Sequence, residues 1–383
     1  MSELINRFVQ FGCWNNLNNG KLINVMDFLK QYIEINNIKL VVISGDNYYP
    51  LKIKNSKGNK EKLISTKLLI DGFNLLPKDV TIEMIYGNHD IETNPEEEDK
   101  KNIYEIKEDN NKILENNCLI LNNEIEIANS NNINLQIWNS KILDNNTIML
   151  MLDTTLYSVD ADDSLKCYKT LLEKQKNINV NNIEQIINEQ QEFINKTINN
   201  NNYKNLIIVG HHPIIYLKSK TKEKKGEKKT TIELQSDIPL FIDILKKIYI
   251  KDINYYYLCA DYHSYQEGNI QIPINNMNNE IMNIKQYIVG TGGTELDDDI
   301  NNLYFNKIFN YDEGIIYYTV VNNVQSWGIL DCNLNTLTFE FKIIYSGGNK
   351  IIKNKKKQKT KKIKKTKKIK KTQKTKKIKN IRK

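Results

Sequence analysis

The stretch Val41-Val42-Ile43-Ser44-Gly45-Asp46-Asn47-Tyr48-Tyr49-Pro50 changes from an apolar run to a glycine, a carboxylate and two tyrosines. A short apolar run of this kind is typical of a strand that is buried on both faces. The pair Gly45-Asp46 then places a carboxylate at the carboxyl end of that strand. Open α/β sheets bind ligands at this end of their strands, so Asp46 is the first candidate site residue.

Other predicted strands end in residues of the same types. They span residues 81–86, 148–152, 206–209 and 255–260, and they lead into Gly87-Asn88-His89-Asp90, Asp153-Thr154, Gly210-His211-His212-Pro213 and Asp261-Tyr262-His263. A further strand, Arg7–Phe11, ends at Gly12-Cys13-Trp14. A helix follows it, since Leu22, Val25, Met26, Leu29 and Ile33 recur at helical spacing. This strand and the Asp46 strand should therefore be parallel neighbours in a βαβ unit.

The four histidines of the chain, His89, His211, His212 and His263, all follow predicted strands. A single histidine is usually a satisfied core or surface residue, but four of four at strand ends is hard to obtain that way. With Asp46 and Asn88 at the same edge, the pattern predicts a metal site built from oxygen and nitrogen ligands. Such ligands suit Zn, Fe or Mn better than Mg or Ca.

The remaining pattern indicates an α/β domain that is completed by antiparallel hairpins. Helices are predicted at about 62–74, 183–198 and 238–249, a strand at 286–289 before the glycine-rich turn 290–293, and β-rich segments at 314–321, 326–331 and 336–344. The charged segments 52–62, 92–132 and 218–229 are predicted to be surface loops.

The charge is divided unevenly along the 383 residues. Residues 350–383 hold twenty basic residues and no acidic one, whereas residues 1–349 hold 35 basic and 46 acidic residues. We therefore predict a domain at residues 1–346 and a disordered, Lys-rich tail at 347–383. The tail should bind nucleic acid or another polyanion, and a nuclear address or a solvated extension without a partner are the alternatives.

Five cysteines, Cys13, Cys118, Cys167, Cys259 and Cys332, are scattered through the chain. Their spacing argues against a disulfide framework and favours a reducing compartment. Residues 1–12 show no signal-peptide pattern, and no stretch approaches the roughly 18 apolar residues of a membrane span. These features predict an intracellular protein of the cytoplasm or nucleus, neither secreted nor spanning a membrane.

Taken in order, the motifs Gly45-Asp46-Asn47, Gly87-Asn88-His89-Asp90, Gly210-His211-His212-Pro213 and Asp261-Tyr262-His263 with Gln266 resemble those of the calcineurin-like metallophosphoesterases. Tyr49, three residues after Asp46, is similar to the purple acid phosphatase branch of that family. The resemblance includes residues 151–154 and the turn 290–293, and it covers roughly residues 6–345. Each motif is weak by itself, but the set in this order is specific.

The resemblance implies a four-layer α-β-β-α sandwich with one or two metal ions of Fe, Zn or Mn. Asp46 would bridge both metals, Tyr49 and His263 would bind the first, and Asn88 and His211 the second. His89 would face the substrate phosphate and the leaving group, and His212 could contact substrate. Metals activate water as hydroxide near neutral pH, so the resemblance implies hydrolysis of a phosphate monoester or diester.

Two ligand positions depart from the family pattern. Cys13 stands where the family has an aspartate; its thiolate could bind Zn or Fe, and the simpler interpretation is a buried free cysteine. Asp261 stands where the family has a histidine, and it could serve as a ligand of the second metal. Residues 214–237 also offer no counterpart of the branch's additional substrate-side histidine.

Two functions of different kinds therefore remain open. The chain is either an active phosphoesterase or a degenerate relative that keeps the fold as a binding or structural module. Asn88, His89 and His263 favour the first, and the two altered ligand positions favour the second. The abundance of Asn, Ile and Lys, together with the basic tail, is similar to proteins of large AT-rich DNA viruses, which would add the virion as a location; AT-rich protists share this bias.

Overall fold

The first βαβ unit is present as the sequence predicts. Strand β1 (Arg7–Phe11) and strand β2 (Leu40–Ser44) pair in parallel, with Val9 opposite Val41, and helix α1 (Lys21–Asn36) connects them. All five residues of β2 are buried, which follows from its unbroken apolar run.

The computed structural model describes residues 4–17, 21–54, 60–91, 103–107, 110–113, 118–158, 161–199, 203–224, 227–275, 280–298, 300, 304–311 and 316–344. The described residues up to Ile343 belong to one compact unit. The predicted tail, residues 347–383, lies outside the described residues, so its properties stay predictions.

The remaining helices of the described residues are α2 (Thr66–Phe73), α3 (Asn88–Ile91), α4 (Leu119–Ser130), α5 (Leu165–Lys176), α6 (Ile183–Asn199) and α7 (Phe241–Lys247). The remaining strands are β3 (Leu51–Lys54), β4 (Lys60–Ile64), β5 (Thr81–Ile85), β6 (Ile103–Lys107), β7 (Asn110–Ile113), β8 (Asn134–Leu135), β9 (Asn139–Asp144), β10 (Thr147–Met151), β11 (Asn205–Val209), β12 (Tyr216–Lys224), β13 (Glu227–Gln235), β14 (Asn254–Cys259), β15 (Tyr265–Asn275), β16 (Glu280–Val289), β17 (Ile308–Tyr311), β18 (Ile316–Val324), β19 (Gly328–Asn333) and β20 (Thr338–Ile343).

Two large sheets contain most of these strands. Sheet one has the order β20-β19-β1-β2-β5-β8, and sheet two has the order β17-β18-β15-β16-β14-β11-β10-β9. In sheet one β1, β2, β5 and β8 are parallel, and in sheet two β10, β11, β14 and β16 are parallel. The carboxyl ends of each parallel set therefore lie along one edge.

Aromatic side chains pack the two sheets face to face. Phe339 lies 4.8 Å from Tyr256 and 5.1 Å from Tyr287, measured between ring centroids, and Phe341 stacks on Tyr265 at 4.2 Å. Helices cover the outer faces: Tyr32 of α1 hydrogen-bonds Asp331 of β19, Phe241 of α7 packs on Tyr257 of β14, and Phe193 of α6 packs near Trp138. The predicted four-layer α/β fold is confirmed.

Three predicted loops contain regular structure instead. Segment 52–62 overlaps the antiparallel pair β3–β4, segment 218–229 lies in the pair β12–β13, and segment 92–132 contains β6, β7 and α4. In β12–β13 the backbones pair along nine positions, from Tyr216 opposite Gln235 to Lys224 opposite Glu227. Backbone pairing of this kind does not need an apolar alternation, so the hydrophobic pattern could not reveal it.

The inference from the cysteine spacing, which argued against disulfide bonds, is wrong. Cys118, which precedes α4, and Cys167 of α5 form a disulfide across 49 residues. Cys13, Cys259 and Cys332 are free and buried. Spacing alone could not identify the pair, because α4 and α5 meet only in the folded chain. Among the helices of the described residues, none is both long and apolar enough to span a membrane.

Candidate metal centre

The ends of five strands bring the predicted site residues to one place. From sheet one, Cys13 follows β1, Asp46 follows β2, and Asn88 and His89 begin α3 after β5. From sheet two, His211 and His212 follow β11, and Asp261 and His263 follow β14. The two sheets meet here directly, because Nδ1 of His211 lies 2.7 Å from the carbonyl oxygen of Ser44.

Three of these strands end in a left-handed backbone turn. The φ angles are 52° at Cys13, 53° at Asp46 and 56° at Asp261. Residues other than glycine adopt this region seldom, although aspartate does so more readily than most. Strained residues of this kind cluster at functional sites, and here the turns direct three side chains toward the same space.

Glycines allow the backbone and the ligands to approach closely. A Cβ at Gly45 would lie 2.6 Å from the nitrogen of Gly87 and 2.7 Å from Nδ1 of His211. A Cβ at Gly87 would lie 2.3 Å from Oδ1 of Asp46. Any larger residue would therefore displace Asp46 or His211.

His211 is oriented as a metal ligand would be. The carbonyl of Ser44 can only accept, so Nδ1 of His211 donates to it, and Nε2 faces the site. Nε2 lies 3.1 Å from Oδ1 of Asn88, 3.2 Å from Oδ1 of Asp46 and 3.7 Å from Oδ1 of Asp261. A backbone hydrogen bond that fixes the far nitrogen is the usual support of a ligating histidine.

The electrostatics of this group favour a cation. Burial alone would lower the pKa of His211, but the charges of Asp46 and Asp261 raise it to about 9. Burial alone would raise the pKa of Asp46, but His211 and His89 hold it well below its usual range. The pKa of Asp261 is raised by burial and by Asp46. In the absence of a metal ion, the positive charge of His211 compensates the carboxylates of Asp46 and Asp261. A bound cation would compensate the same carboxylates.

A second group surrounds the other oxygen of Asp46. Oδ2 accepts a hydrogen bond from the Tyr49 hydroxyl at 2.6 Å and lies 3.8 Å from Sγ of Cys13. The Tyr49 hydroxyl also lies 3.3 Å from Nε2 of His263. Burial, followed by the charge of Asp46, raises the pKa of both Cys13 and Tyr49, so thiol and phenol are protonated.

The two predicted substrate-side histidines occupy different surroundings. His89 is partly exposed; its backbone N–H donates to Oδ1 of Asp46 at 3.2 Å, and its ring centroid lies 5.2 Å from that of Tyr49. His212 is buried, with its ring centroid 4.9 Å from that of His211. Burial, followed by the charge of His211, lowers the pKa of His212 to about 3.

The sequence did not identify the side chains that support these residues from behind. Buried Asp90 accepts hydrogen bonds from the backbone N–H of Gly87 at 2.7 Å and of Asn47 at 2.8 Å. Glu124 of α4 is also buried, and burial followed by the charge of Asp90 raises its pKa. Asp90 belongs to a quoted motif and could have been found, whereas Glu124 lies in a segment without a motif.

Tyr216 and Asp237 form a further pair beside the site. The Tyr216 hydroxyl donates to Oδ2 of Asp237 at 2.8 Å. The centroid of the Tyr216 ring lies 5.3 Å from that of Tyr262, the residue that separates Asp261 from His263 in the sequence. These residues come from the segment in which no additional histidine was found. Their position depends on the hairpin β12–β13, which the sequence pattern did not predict.

The donor set fits a metal ion. The described residues contain two groups in which the possible ligand atoms all lie within 4.8 Å of one another. One group is Cys13, Asp46 and His211, and the other is His211, His212 and Asp261. Carboxylate, amide and imidazole donors suit Zn, Fe and Mn. Asp46, Asn88, His211 and Asp261 would hold one ion, and Asp46, Tyr49 and His263 with Cys13 would hold the other.

A family model described as calcineurin-like phosphoesterase matches residues 6–237. No curated protein matches the sequence. Among solved structures, the chain is similar to GAP50, the anchor in the inner membrane complex of Plasmodium, with 12% identity, a TM-score of 0.44, and coverage of 90% of this chain and 86% of that one.

Proposed function

Because the chain belongs to the calcineurin-like phosphoesterase family, we propose that it hydrolyses a phosphate monoester or diester with one or two bound metal ions. The observation that carries the proposal is the group around Nε2 of His211, where three side-chain oxygens lie between 3.1 and 3.7 Å away. Tyr49 supports membership of the purple acid phosphatase branch, because its hydroxyl reaches the same Asp46 at 2.6 Å.

Bound ions would supply positive charge that binds phosphoryl oxygens and lowers the pKa of water. The chain's own residues hold the other parts in place. Asp46 faces both groups of ligands, Ser44 fixes the orientation of His211, and Asp90 fixes the loop that carries Asn88. His89 is a partly exposed imidazole that neither proposed ligand set uses, and we assign it the proton transfer to the departing alkoxide.

Metal content and the Asp46→Asn variant test this function. Protein purified without chelator should contain at least one Zn, Fe or Mn per chain by elemental analysis. Asp46→Asn removes the shared charge at constant shape, so hydrolysis of p-nitrophenyl phosphate and its bis ester should fall more than about 100-fold. Wild-type protein that stays folded and inert after metal addition would refute the enzyme, and unchanged activity of Asp46→Asn would place the site elsewhere.

A second candidate is a degenerate relative that serves as a binding or structural module. Cys13 favours it, because burial and Asp46 keep its thiol protonated at a position where the family has an aspartate. This candidate predicts that added metal binds weakly and that phosphate esters are not hydrolysed. Phosphate binding without turnover by the metal-loaded protein would select it.

The Lys-rich tail gives the chain a second proposed activity. Twenty basic residues between 350 and 383 would bind nucleic acid or another polyanion, independently of the metal centre. The tail contains no aromatic residue, so binding should rest on charge and not on base stacking. The proposal places the chain where nucleic acid is present, in the cytoplasm, the nucleus or a virion, and the Cys118–Cys167 disulfide must persist there.

A further inference from the structure

Thr154 is the side chain that joins both histidines of the Gly210-His211-His212-Pro213 motif. It follows β10 and is fully buried. Its Oγ1 lies 3.0 Å from the backbone nitrogen of His211, 3.0 Å from the backbone nitrogen of His212, and 3.2 Å from Nδ1 of the His212 ring. One hydroxyl therefore serves three hydrogen-bonding groups.

The number of hydrogens decides the direction of each bond. A hydroxyl has one hydrogen and two lone pairs, and a backbone N–H can only donate. The two backbone N–H groups occupy both lone pairs of Oγ1 of Thr154, so its hydrogen is directed to Nδ1 of His212. Nδ1 is then the acceptor, and the ring proton of His212 lies on Nε2.

The Nδ1 atoms of the two adjacent histidines thereby have opposite roles, since that of His211 donates a hydrogen bond and that of His212 accepts one. The Ser44 carbonyl accepts a hydrogen bond from Nδ1–H of His211, which directs Nε2 of that ring to the ligand oxygens. The Thr154 hydroxyl donates its hydrogen to the Nδ1 lone pair of His212, so the other nitrogen of that ring carries the N–H and no lone pair is left for a metal. A metal ligand needs a lone pair, so His212 is no ligand, although one of its nitrogens lies within 4.8 Å of ligand atoms of His211 and Asp261.

We propose that Thr154 is a positioning residue, which presents Nε2–H of His212 as a hydrogen-bond donor to a phosphoryl oxygen of the substrate. The backbone of His212 is fixed from the other side, since its carbonyl accepts from the Tyr257 hydroxyl at 2.7 Å. The proposal rests on the proposed phosphoesterase function for the identity of the acceptor. The tautomer itself depends only on the contacts of Thr154.

Nitrogen NMR of the full-length protein tests the tautomer without reference to activity. With ¹⁵N-labelled histidine the chain has four rings, and His212→Gln assigns the signal of His212. We expect wild-type His212 to show a protonated Nε2 and a bare Nδ1, Thr154→Ser to keep this tautomer, and Thr154→Val to lose it. A protonated Nδ1 in the wild type, or the same tautomer in the Ser and Val variants, would overturn the proposal.

Phosphate binding tests the donor. Asn at position 212 keeps an amide near Nδ1 but has none near Nε2, whereas Gln reaches the position of Nε2. In the metal-loaded full chain, His212→Asn should weaken inorganic phosphate binding about tenfold, the effect of one lost hydrogen bond, and His212→Gln should weaken it less. Equal phosphate affinity of His212→Asn and wild type, at equal metal content, would refute the substrate contact. If the tautomers are as expected and phosphate binds, but no ester is hydrolysed, the proposed function fails while the role of Thr154 stands.

Discussion

Asp46 shows how much one side chain can organise. Its Oδ1 faces His211 and the backbone N–H of His89, and its Oδ2 faces Tyr49 and Cys13. Each candidate ion would thus share this carboxylate, which is the reason for testing it first. The sequence identified the residue because glycine and aspartate follow a buried strand, and the left-handed φ of 53° explains why the carboxylate turns into the site.

Cys13→Asp tests whether the first group of ligands can be restored. The backbone at position 13 has a φ of 52°, which aspartate adopts more readily than cysteine. We expect this variant to bind more metal per chain, and to hydrolyse p-nitrophenyl phosphate faster, because a hard carboxylate replaces a protonated thiol.

Cys13→Asn is the matched control, since it has the shape of aspartate without the charge. It should show no gain in metal content or rate. Equal metal content in the wild type and in Cys13→Asp would show that the loss of the first site does not depend on this residue.

Secondary-structure elements were predictable where they are buried on both faces. Strands β1, β2 and β5 are mostly buried and each is followed closely by a glycine, and the pattern located them within one residue. The hairpin β12–β13 is rich in lysine and has the sequence pattern of a loop, because its strands are held by pairing with each other. The contacts of Thr154 and Glu124 were also beyond prediction, since they depend on which helices and strands meet.

An ion pair and its hydrogen bonds join two strands of sheet one, β1 and β19, to the covering helix α1. Arg7 of β1 donates from Nε to Oδ1 of Asp331 of β19 at 2.7 Å, and Tyr32 of α1 donates to Oδ2 at 2.6 Å. Burial alone would raise the pKa of Asp331, but hydrogen bonds from Arg7 and Tyr32 lower it below its ordinary value. The native state therefore binds this proton less readily than the unfolded chain.

Asp331→Asn should consequently lower stability at neutral pH and flatten its acid dependence. The contribution of the carboxylate is present above its unfolded pKa of about 3.9 and is lost as the pH falls through the lower folded value. Urea unfolding at pH 7 should show a loss of about 1–3 kcal/mol, and the variant and wild type should converge in acid. Asp243→Asn, on the exposed surface of α7, is the control and should change little; a parallel offset for Asp331→Asn at every pH would contradict this account.

The disulfide between Cys118 and Cys167 ties α4 to α5. Closing a loop of 49 residues restricts the unfolded chain, so replacing both cysteines by serine should lower the free energy of unfolding by about 2–4 kcal/mol. Thermal unfolding with and without a dithiol reductant measures this. The reductant should lower the melting temperature of the wild type and leave that of the double variant unchanged; an unaffected wild type would mean that the bridge adds no stability.

At the scale of the whole molecule, the acidic residues 1–349 and the basic residues 350–383 should act on different partners. Deleting 350–383 should abolish binding of labelled DNA or RNA at low salt, measured by fluorescence anisotropy, and leave phosphatase activity unchanged. Binding by the full chain should fall steeply as salt rises, because it depends on released counterions. Nucleic-acid binding that persists in the truncated, acidic body would refute this assignment.

The position of β1 has a consequence for the order of events during synthesis. Its partners are β2, which emerges next from the ribosome, and β19, whose Asn333 lies opposite Arg7. The amino-terminal strand must therefore wait for nearly the whole body to be translated before its second edge is covered. Since His211 must also reach Ser44, 167 residues away, and Asp261 and His263 come later still, a nascent chain could complete the proposed ligand set only after β14 has been translated.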